Sequence, residues 1–265
     1  MQSADDGQIR QDGAKKYMTD GFANKGFLMV KKGKDGVYNR IIKRILDIVF
    51  SFCGIVVLSP LLVILTVCGA VAMKGNPFFV QERPGWHEKI FKLIKFRTMS
   101  NEIDANGELL PDNKRINNYG KFLRASSCDE LPQLVNILIG DMSIIGPRPQ
   151  LIRDMVFMTS EQRRRHDVRP GLSGLAQVSG RNALKWENKL ALDVKYVDSI
   201  CFKEDVSIFF KTIKTVVKHE NINDDKYDVI DFGDYLLKTE MVSKEEYDRK
   251  MLEATEILGS IKGYE

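Results

Sequence analysis

The longest apolar segment of the chain extends from Ile48 to Met73 and contains 26 residues without a charged side chain. As one straight helix it would be roughly 39 Å long, which exceeds the ~30 Å hydrocarbon core of a bilayer. It starts too far from the N-terminus, and is too long, to be the apolar region of a cleavable signal peptide. The pattern predicts a helix inserted into a membrane.

Ser59 and Pro60 lie near the middle of this segment. Proline removes an amide donor and clashes with the preceding turn, whereas a serine hydroxyl can bond the carbonyl that is freed. We therefore expect a sharp bend at Ser59 and Pro60. Each arm would be roughly 18 to 21 Å long, too short to cross the bilayer alone. A kinked transmembrane helix and a buried helix of a soluble protein are alternatives that this pattern leaves open.

Basic residues flank the apolar segment on both sides. Those before it are Lys31, Lys32, Lys34, Arg40, Lys43 and Arg44, and those after it are Lys74, Arg83, Lys89, Lys92, Lys95 and Arg97. Positive charge marks the cytoplasmic side of a membrane segment. Both ends are therefore expected in the cytoplasm, as in a re-entrant hairpin that enters one leaflet.

The rest of the chain shows short strand-like and helical patterns. Residues 89–96 alternate in polarity after a turn at Pro84 and Gly85, which predicts a strand or hairpin. Apolar spacing predicts helices at residues 113–140, 186–196 and 206–217. The last of these is basic and amphipathic, so it could lie on a membrane surface or pack on the protein's own core. These patterns predict a helix-rich α+β fold.

Changes in composition suggest four parts. Residues 1–38 form a polar lead, 39–74 the membrane hairpin, 75–220 a membrane-associated domain on the cytosolic side, and 221–265 an acidic linker with a helical appendage. Within the appendage, Ser243 and Glu246 are spaced as a capping box.

Composition narrows the class of protein. With 43% hydrophobic residues the chain can form a core, and 29% charged residues exclude a polytopic membrane protein. The net charge is only +4, with basic residues concentrated between Lys74 and Arg181. This favours anionic ligands or an anionic membrane surface over nucleic acid. The four cysteines lack zinc-site or disulfide spacing, which fits a reduced cytosolic compartment.

Adjacent carboxylates, Asp129 and Glu130, stand at a predicted helix start marked by Ser126, Ser127 and Pro132. The unpaired amides of a helix N-terminus keep a carboxylate ionised and attract phosphate, so Asp129 is suited to be a nucleophile. An ordinary N-cap would show the same local pattern.

Further along, prolines on both sides of Arg148 restrict its backbone, so its guanidinium is suited to bidentate phosphate binding. Structural turns contain the same residues. Residues 169–181 resemble an anion-binding loop, with glycines that free backbone amides. The run Arg163, Arg164 and Arg165 is interpreted as a solvated or lipid-facing cluster.

An ordered series of motifs over roughly residues 40–220 resembles the bacterial sugar transferase family, the monotopic polyprenol-phosphate phosphoglycosyl transferases. The motifs are 95–99 (KFRTM), 120–124 (GKFLR), 129–136 (DELPQLVN), 140–143 (GDMS), 146–149 (GPRP), 169–174 (RPGLSG) and 177–181 (QVSGR). The resemblance implies a re-entrant membrane helix and so favours the hairpin. Cys128, where leucine is usual, and Pro84 depart from the family pattern without removing a charged group.

The resemblance also implies a two-step reaction. Asp129 would attack the β-phosphate of a UDP-sugar and release UMP, and polyprenol (undecaprenyl) phosphate would then accept the phosphosugar. Mg²⁺ held by Asp129 and Glu130 would offset the diphosphate charge. The candidate phosphate-binding residues are Lys95, Arg97, Arg124, Arg148 and Arg181. Asp193 also matches a family position, although a structural salt bridge is an alternative role.

The expected product is the first membrane intermediate of a surface glycan or glycoconjugate, made at the bacterial cytoplasmic (inner) membrane. A nucleotide-sugar hydrolase and a non-catalytic membrane-anchored scaffold are the alternatives. Expected partners are the UDP-sugar, polyprenol phosphate and membrane lipids. A homo-oligomer is compatible with the sequence, which identifies neither the sugar nor the glycan pathway.

Overall fold

The computed structural model describes residues 36–180, 184–217 and 230–262. A π-helical turn, Tyr38–Ile42, precedes the first α-helix. The α-helices are α1 (Lys43–Ala72), α2 (Asp112–Arg115), α3 (Asn118–Ser126), α4 (Gln133–Ile139), α5 (Ile152–Met155), α6 (Ser160–Arg163), α7 (Leu175–Ser179), α8 (Trp186–Ser199), α9 (Phe202–Val217), α10 (Phe232–Lys238) and α11 (Lys244–Lys262). The strands are β1 (Phe78–Pro84), β2 (Ile90–Phe96), β3 (Ser143–Ile145) and β4 (Gly171–Ser173). The described chain is thus helix-rich with small sheets, in agreement with the predicted α+β class.

The apolar segment forms α1, one continuous α-helix through Pro60 rather than two helices separated by a turn. Proline at position 60 cannot donate to the carbonyl of Val56, four residues earlier. The Ser59 hydroxyl donates to this carbonyl over 2.7 Å. The predicted compensation by serine is therefore confirmed, and it explains how the helix continues past the proline.

Both ends of α1 are bonded to the remainder of the chain. Near its start, Arg44 Nη2 donates to the Leu138 carbonyl over 2.8 Å. Near its end, the Tyr119 hydroxyl donates to the Leu65 carbonyl over 2.7 Å, and Asn117 Nδ2 donates to the carbonyl of Ala72 over 3.0 Å. Most of the remaining apolar surface of α1 is exposed. Within the described ranges, Tyr38–Ala72 is the one helical stretch long and apolar enough to cross a membrane, which is compatible with membrane anchoring.

A buried polar group fixes the first turn of α1. Asp205 on α9 accepts hydrogen bonds from Lys43 Nζ at 2.5 Å and from the hydroxyls of Tyr38 and Tyr196 at 2.6 Å each. We call these four residues the Asp205 cluster. Because every member is hydrogen-bonded, this buried charge can be accommodated in the interior.

The predicted hairpin is confirmed. β1 and β2 pair antiparallel, with Phe79 opposite Lys95 and Arg83 opposite Phe91. Residues directly opposite each other share a face, and alternate residues along a strand share it as well. Arg83 and Lys95 therefore lie on one face of the hairpin, together with the buried side chain of Phe91.

The helix predicted over 113–140 is interrupted. α3 ends where Ser127 adopts a left-handed conformation (φ 55°), and a 3₁₀ turn, Cys128–Glu130, follows before α4 begins. Apolar spacing does not register such a local backbone change. Asn136 then joins α4 to β2, since its side chain accepts from the Ile94 amide at 3.1 Å and donates to the Lys92 carbonyl at 2.8 Å.

The glycines of residues 169–174 allow two backbone segments to lie in close contact. A Cβ atom added to Gly171 would lie 2.1 Å from the Gly146 nitrogen, and one added to Gly174 would lie 2.1 Å from the Gly146 carbonyl oxygen. The Gly171 amide donates to the Pro147 carbonyl over 2.9 Å, so it is not available to an anion. These glycines allow parallel pairing of β3 with β4, which brings the Arg148 loop against residues 169–174.

The predicted helices at the end of the chain are present as α8, α9 and α11. Residues 230–262 share two hydrophobic clusters with the preceding domain: Ala254 with Ile152 and Met155, and Phe232 with Trp186. The Ser243 hydroxyl accepts from the Glu246 amide over 3.1 Å, which confirms this bond of the predicted capping box. The polar lead up to residue 35 and most of the predicted acidic linker lie outside the described residues.

Candidate active site

Five of the predicted site residues line one cavity of about 670 Å³. The cavity is lined by both carboxylates of the predicted pair and by three of the predicted cations; these residues are Lys95, Arg124, Asp129, Glu130 and Arg148. Strand β2, helix α3, the 3₁₀ turn before α4 and the loop after β3 supply them. Residues distant in sequence thus come together in one cavity that contains both carboxylates and cationic side chains.

The two carboxylates of the pair have different surroundings. Glu130 Oε1 accepts a hydrogen bond from Arg148 Nη2 at 2.6 Å and lies 3.9 Å from Lys95 Nζ. Among the described residues, no other side chain donates a hydrogen bond to Asp129 or forms a salt bridge with it. Burial raises the pKa of the Asp129 carboxyl, and the neighbouring Glu130 raises it further, while a hydrogen bond from the Asp129 backbone amide acts in the opposite direction. Asp129 is therefore a partly desolvated carboxylate with oxygens available to a ligand.

Cations of the cavity are crowded together. Burial and then the charge of Arg148 lower the pKa of Lys95 to about 8. Burial and Arg148 likewise lower the pKa of Arg83 to about 10, whereas Glu130 raises the pKa of Arg148. Since like charges are held close together, an anion that enters the cavity would relieve their repulsion. The arrangement is suited to a diphosphate.

A buried ion pair between Arg165 and Asp193 holds the backbone of Arg148 in place. Arg165 donates to the Arg148 carbonyl at 2.5 Å, and its Nη2 lies 2.7 Å from Asp193 Oδ2. The Arg165 side chain is 1% exposed, so its assignment to a solvated or lipid-facing cluster was wrong: Asp193 compensates its charge in the interior. Asp193 has the salt-bridge role that the sequence left open.

Two predicted cations are placed differently from Lys95 and Arg148, and one lies outside the described residues. Arg124 is exposed and donates from Nε to the Thr98 hydroxyl over 3.1 Å. Arg97 is not among the residues that line the cavity, and its Nη2 donates to the Phe78 carbonyl over 3.3 Å. Arg181 falls in the undescribed range 181–183. Phosphate binding by Arg97 and Arg181 stays a prediction.

Other residues of the cavity were not selected from the sequence as site residues. They are Arg83, Gln177, Trp186, Lys189, Asp154 and Asp231. Arg83 could have been recognised from strand alternation, because it shares a hairpin face with Lys95. The others come together only through tertiary packing, for which the sequence carries no local signal.

One side of the cavity is formed by α9. Phe209, Thr212 and Thr215 line it. On the same helix Ile208 is buried in the core, while Phe209, Phe210 and Ile213 are exposed. One face of this helix therefore packs on the protein's own core, and another presents apolar side chains; contact of this helix with a membrane surface stays a prediction. The polar centre thus adjoins an apolar surface.

The carboxylates also have the chemistry of a site for a hard cation. Mg²⁺ prefers oxygen ligands and commonly uses one or two carboxylates, with water and substrate phosphates supplying the rest. Asp129 and Glu130 fit this pattern because the oxygens of Asp129 have no hydrogen-bond donor among the described side chains. No group of three or more His, Cys, Asp and Glu residues suited to a metal occurs in the described part of the chain. The protein would therefore supply two carboxylates at most there.

The described chain thus combines a cation-rich cavity that contains two carboxylates with a helix compatible with membrane anchoring. The family model described as bacterial sugar transferase matches residues 38–219. The chain belongs to this family and is a transferase.

Curated relatives agree with this assignment. An uncharacterized sugar transferase, EpsL, of Bacillus subtilis (strain 168) is 44% identical over 69% of this chain and 90% of its own length. The undecaprenyl-phosphate galactose phosphotransferase of Salmonella typhimurium is 34% identical over 69% of this chain. A UDP-glucose:undecaprenyl-phosphate glucose-1-phosphate transferase of Klebsiella pneumoniae is 34% identical over 66% of this chain. The matches cover 42% and 40% of the latter two proteins.

Proposed function

We propose that this protein transfers a sugar 1-phosphate from a UDP-sugar to polyprenol (undecaprenyl) phosphate and releases UMP. The observation that carries the proposal is the Asp129 carboxylate, which has no hydrogen-bond donor among the described side chains and lines a cavity that also contains Lys95 and Arg148. The names of the Salmonella and Klebsiella relatives support the same type of acceptor.

In the first step, an Asp129 oxygen attacks the β-phosphorus of the UDP-sugar. A bond forms between this oxygen and phosphorus, the bond between the β-phosphorus and the bridging oxygen breaks, and UMP leaves with the electron pair. Lys95 and Arg148 bind the phosphate oxygens and stabilise the charge of the transition state. Glu130 holds the Arg148 guanidinium at 2.6 Å, so this cation is oriented before the donor binds.

In the second step, a phosphate oxygen of polyprenol phosphate attacks the phosphorus of the phosphosugar. The bond to Asp129 breaks, the carboxylate is restored, and a polyprenyl diphosphate sugar is formed. Mg²⁺, bound through Asp129 and Glu130, would neutralise diphosphate charge that otherwise repels the nucleophile. The chain's own cations perform the remaining orientation of phosphate.

A lipid acceptor requires the cavity to be close to the bilayer surface. The cavity side formed by Phe209 on α9 adjoins exposed apolar side chains. Such a surface can enter the headgroup region while the isoprenoid tail remains in lipid. This arrangement supports access of the acceptor phosphate to Asp129.

We further propose that α1 is re-entrant and that the catalytic domain lies on the cytosolic face of the inner membrane. Both ends of α1 are bonded to the same domain: Arg44 of α1 donates to the Leu138 carbonyl near the start, and Tyr119 of the domain donates to the Leu65 carbonyl near the end. A helix that crossed a bilayer completely would separate its two ends by the thickness of the membrane. The basic flanks support a cytosolic location for both ends.

The test is UMP release by the detergent-solubilised full chain, with a panel of UDP-sugars, with and without polyprenol phosphate and Mg²⁺. We expect release to require the lipid acceptor and the metal, and to be lost in Asp129→Asn. Asp248→Asn, which changes an exposed carboxylate of α11, is the control and should release UMP like the wild type. Release without the acceptor would identify a hydrolase instead. No release by folded protein from any UDP-sugar would support the scaffold alternative.

A further inference from the structure

Residues 230–262 lie beyond the family match, which ends at residue 219, and yet they contribute to the catalytic cavity. Asp231 lines it together with Arg83, Asp154 and Trp186. A segment that is additional to the family core is thus part of the wall around the proposed donor site.

The start of this segment is held at the cavity by specific bonds. Trp186 Nε1 donates to the Ile230 carbonyl over 2.9 Å, and the Phe232 amide donates to Asp154 Oδ1 over 2.8 Å. The ring of Phe232 is 3% exposed and lies 5.2 Å from the Trp186 ring, centroid to centroid. Asp231 is therefore placed between two fixed backbone positions, Ile230 and Phe232.

Packing further along the segment reinforces this position. A Cβ atom added to Gly233 would lie 2.5 Å from the Phe157 ring, which shows a close contact. Ala254 of α11 is 2% exposed and packs against Ile152 and Met155. The segment is thus anchored at several points, as a rigid specificity element would need to be.

The cations of the cavity are spread along the β1–β2 hairpin. Lys95 Nζ lies 3.9 Å from Glu130 Oε1, whereas Arg83 lies opposite Phe91, which is four residues from Lys95 along β2. Asp231 lines the same cavity. Burial lowers the pKa of Arg83, and the charge of Asp231 acts against that effect. A diphosphate bound by these cations would have its two ends directed away from them, with one towards Asp231.

We propose that Asp231 accepts hydrogen bonds from hydroxyl groups of a ring at one end of the nucleotide-sugar donor. The ring is the transferred sugar or the ribose, and both offer the same chemistry of neighbouring hydroxyl donors. The inference rests on the proposed function. Asp231 Oδ2 lies 3.2 Å from Arg153 Nη1, so this ion pair orients the carboxylate. A fixed carboxylate can accept from two hydroxyl groups at once.

Asp234 provides a matched control. Its carboxylate also bonds to Arg153, at 3.0 Å, but it is not among the residues that line the cavity. Asp231→Asn and Asp234→Asn each remove one charge from the same arginine without changing side-chain size. A structural role of the ion pairs would affect both variants alike, whereas ligand recognition would affect Asp231→Asn alone.

The experiment measures kcat/KM of the full-length variants for several UDP-sugars, together with inhibition by UMP and thermal unfolding. For a sugar contact, we expect Asp231→Asn to change the ratio of kcat/KM between two UDP-sugars by about tenfold with unchanged UMP inhibition. For a ribose contact, UMP inhibition should weaken by about tenfold with the sugar ratio unchanged. Asp234→Asn should retain both wild-type values.

Asp231→Glu is a control for a folding defect, because it retains the charge beside Arg153 and moves the carboxylate by one methylene. It should show the same kind of change as Asp231→Asn. If the wild type is active and both Asp231 variants retain its sugar ratio and its UMP inhibition, the recognition role is wrong and the proposed function stands. Equal changes in Asp231→Asn and Asp234→Asn would also overturn it. An inactive wild type would overturn the proposed function, and this inference with it.

Discussion

Asp129 and Asp205 are both carboxylates removed from bulk water, in different parts of one domain. Asp205 is 5% exposed and accepts from Lys43 and from two tyrosine hydroxyls. Asp129 has neither a hydrogen bond nor a salt bridge from a described side chain, although Lys95 and Arg148 share its cavity. One carboxylate is fully used by the fold, and the other keeps its oxygens for a ligand.

The difference separates a structural carboxylate from a reactive one. Hydrogen bonds from three side chains compensate for the burial of Asp205, and both of its carboxylate oxygens accept at least one of them. Burial without such bonds raises the pKa of Asp129 and keeps a nucleophile poorly solvated. Number of partners, rather than burial, is therefore the property that distinguishes the two.

The largest effect is expected from Asp129→Asn. Because the amide cannot form the phosphosugar intermediate, UMP release should fall by about ten-thousandfold or more. The unfolding midpoint should be unchanged or higher, since the substitution removes a desolvated charge. Measurement of UMP release beside thermal unfolding checks both. A variant that retains most of its activity would exclude covalent catalysis by this residue.

Asp205→Ala should show the opposite result, namely a loss of stability with little change in activity. It leaves buried Lys43 without its counter-charge, and loss of one partner of a buried pair costs about 3 to 5 kcal/mol. Denaturant unfolding of the detergent-solubilised protein would measure the loss, while kcat of the molecules that remain folded should stay near the wild-type value. Asp248→Ala, which breaks an exposed pair on α11, is the control and should have little effect. Equal stability of both variants would show that the Asp205 cluster contributes no net stability.

An effect of intermediate size is expected from pH, because the activity depends on the charges of Lys95 and Asp129. Lys95 has a pKa of about 8 in the free protein, so it loses its charge as pH rises through that value. We expect kcat/KM to fall by about tenfold per pH unit well above it. Asp129 must be ionised to attack, and its raised pKa should move the acidic limb to higher pH. Lys95→Arg should shift the alkaline limb upward; an unshifted limb would assign it to another group.

The smallest effect is expected from Ser59→Ala. The substitution leaves the Val56 carbonyl without the hydroxyl that replaces the missing amide of Pro60, at a cost of about 1 kcal/mol. Pro60→Ala restores the amide, so the double variant should regain this stability. Unfolding in lipid nanodiscs would measure both. A loss of the same size from Ser59→Ala in the Pro60→Ala background would show that the hydroxyl acts elsewhere.

Local patterns were sufficient to predict several parts of the molecule. Alternation predicted the hairpin that carries Lys95, and the Ser59-Pro60 pair predicted the hydroxyl bond inside α1. Adjacent carboxylates before a proline indicated the pair at Asp129 and Glu130. In each case the physical cause lies within a few residues along the chain, so the sequence displays it directly.

Features that depend on distant partners were missed. The run Arg163 to Arg165 reads as solvated charge because Asp193, which compensates Arg165, is 28 residues away. The break after α3 depends on the left-handed backbone of Ser127, which apolar spacing does not reveal. The place of Asp231 in the cavity follows from the docking of Phe232 and Ala254. Such pairings are set by tertiary packing and have no local signature.

The bonds at both ends of α1 also bear on how the protein is made. In the proposed arrangement, α1 enters the bilayer from the side on which its own domain is synthesised. The basic residues that flank it then never pass through hydrocarbon, where each would cost about 2.5 to 3.5 kcal/mol at the centre. Insertion could therefore follow folding of the domain, with Arg44 already bonded to the Leu138 carbonyl and Tyr119 to the Leu65 carbonyl. It would need no transfer of a polar segment to the far side.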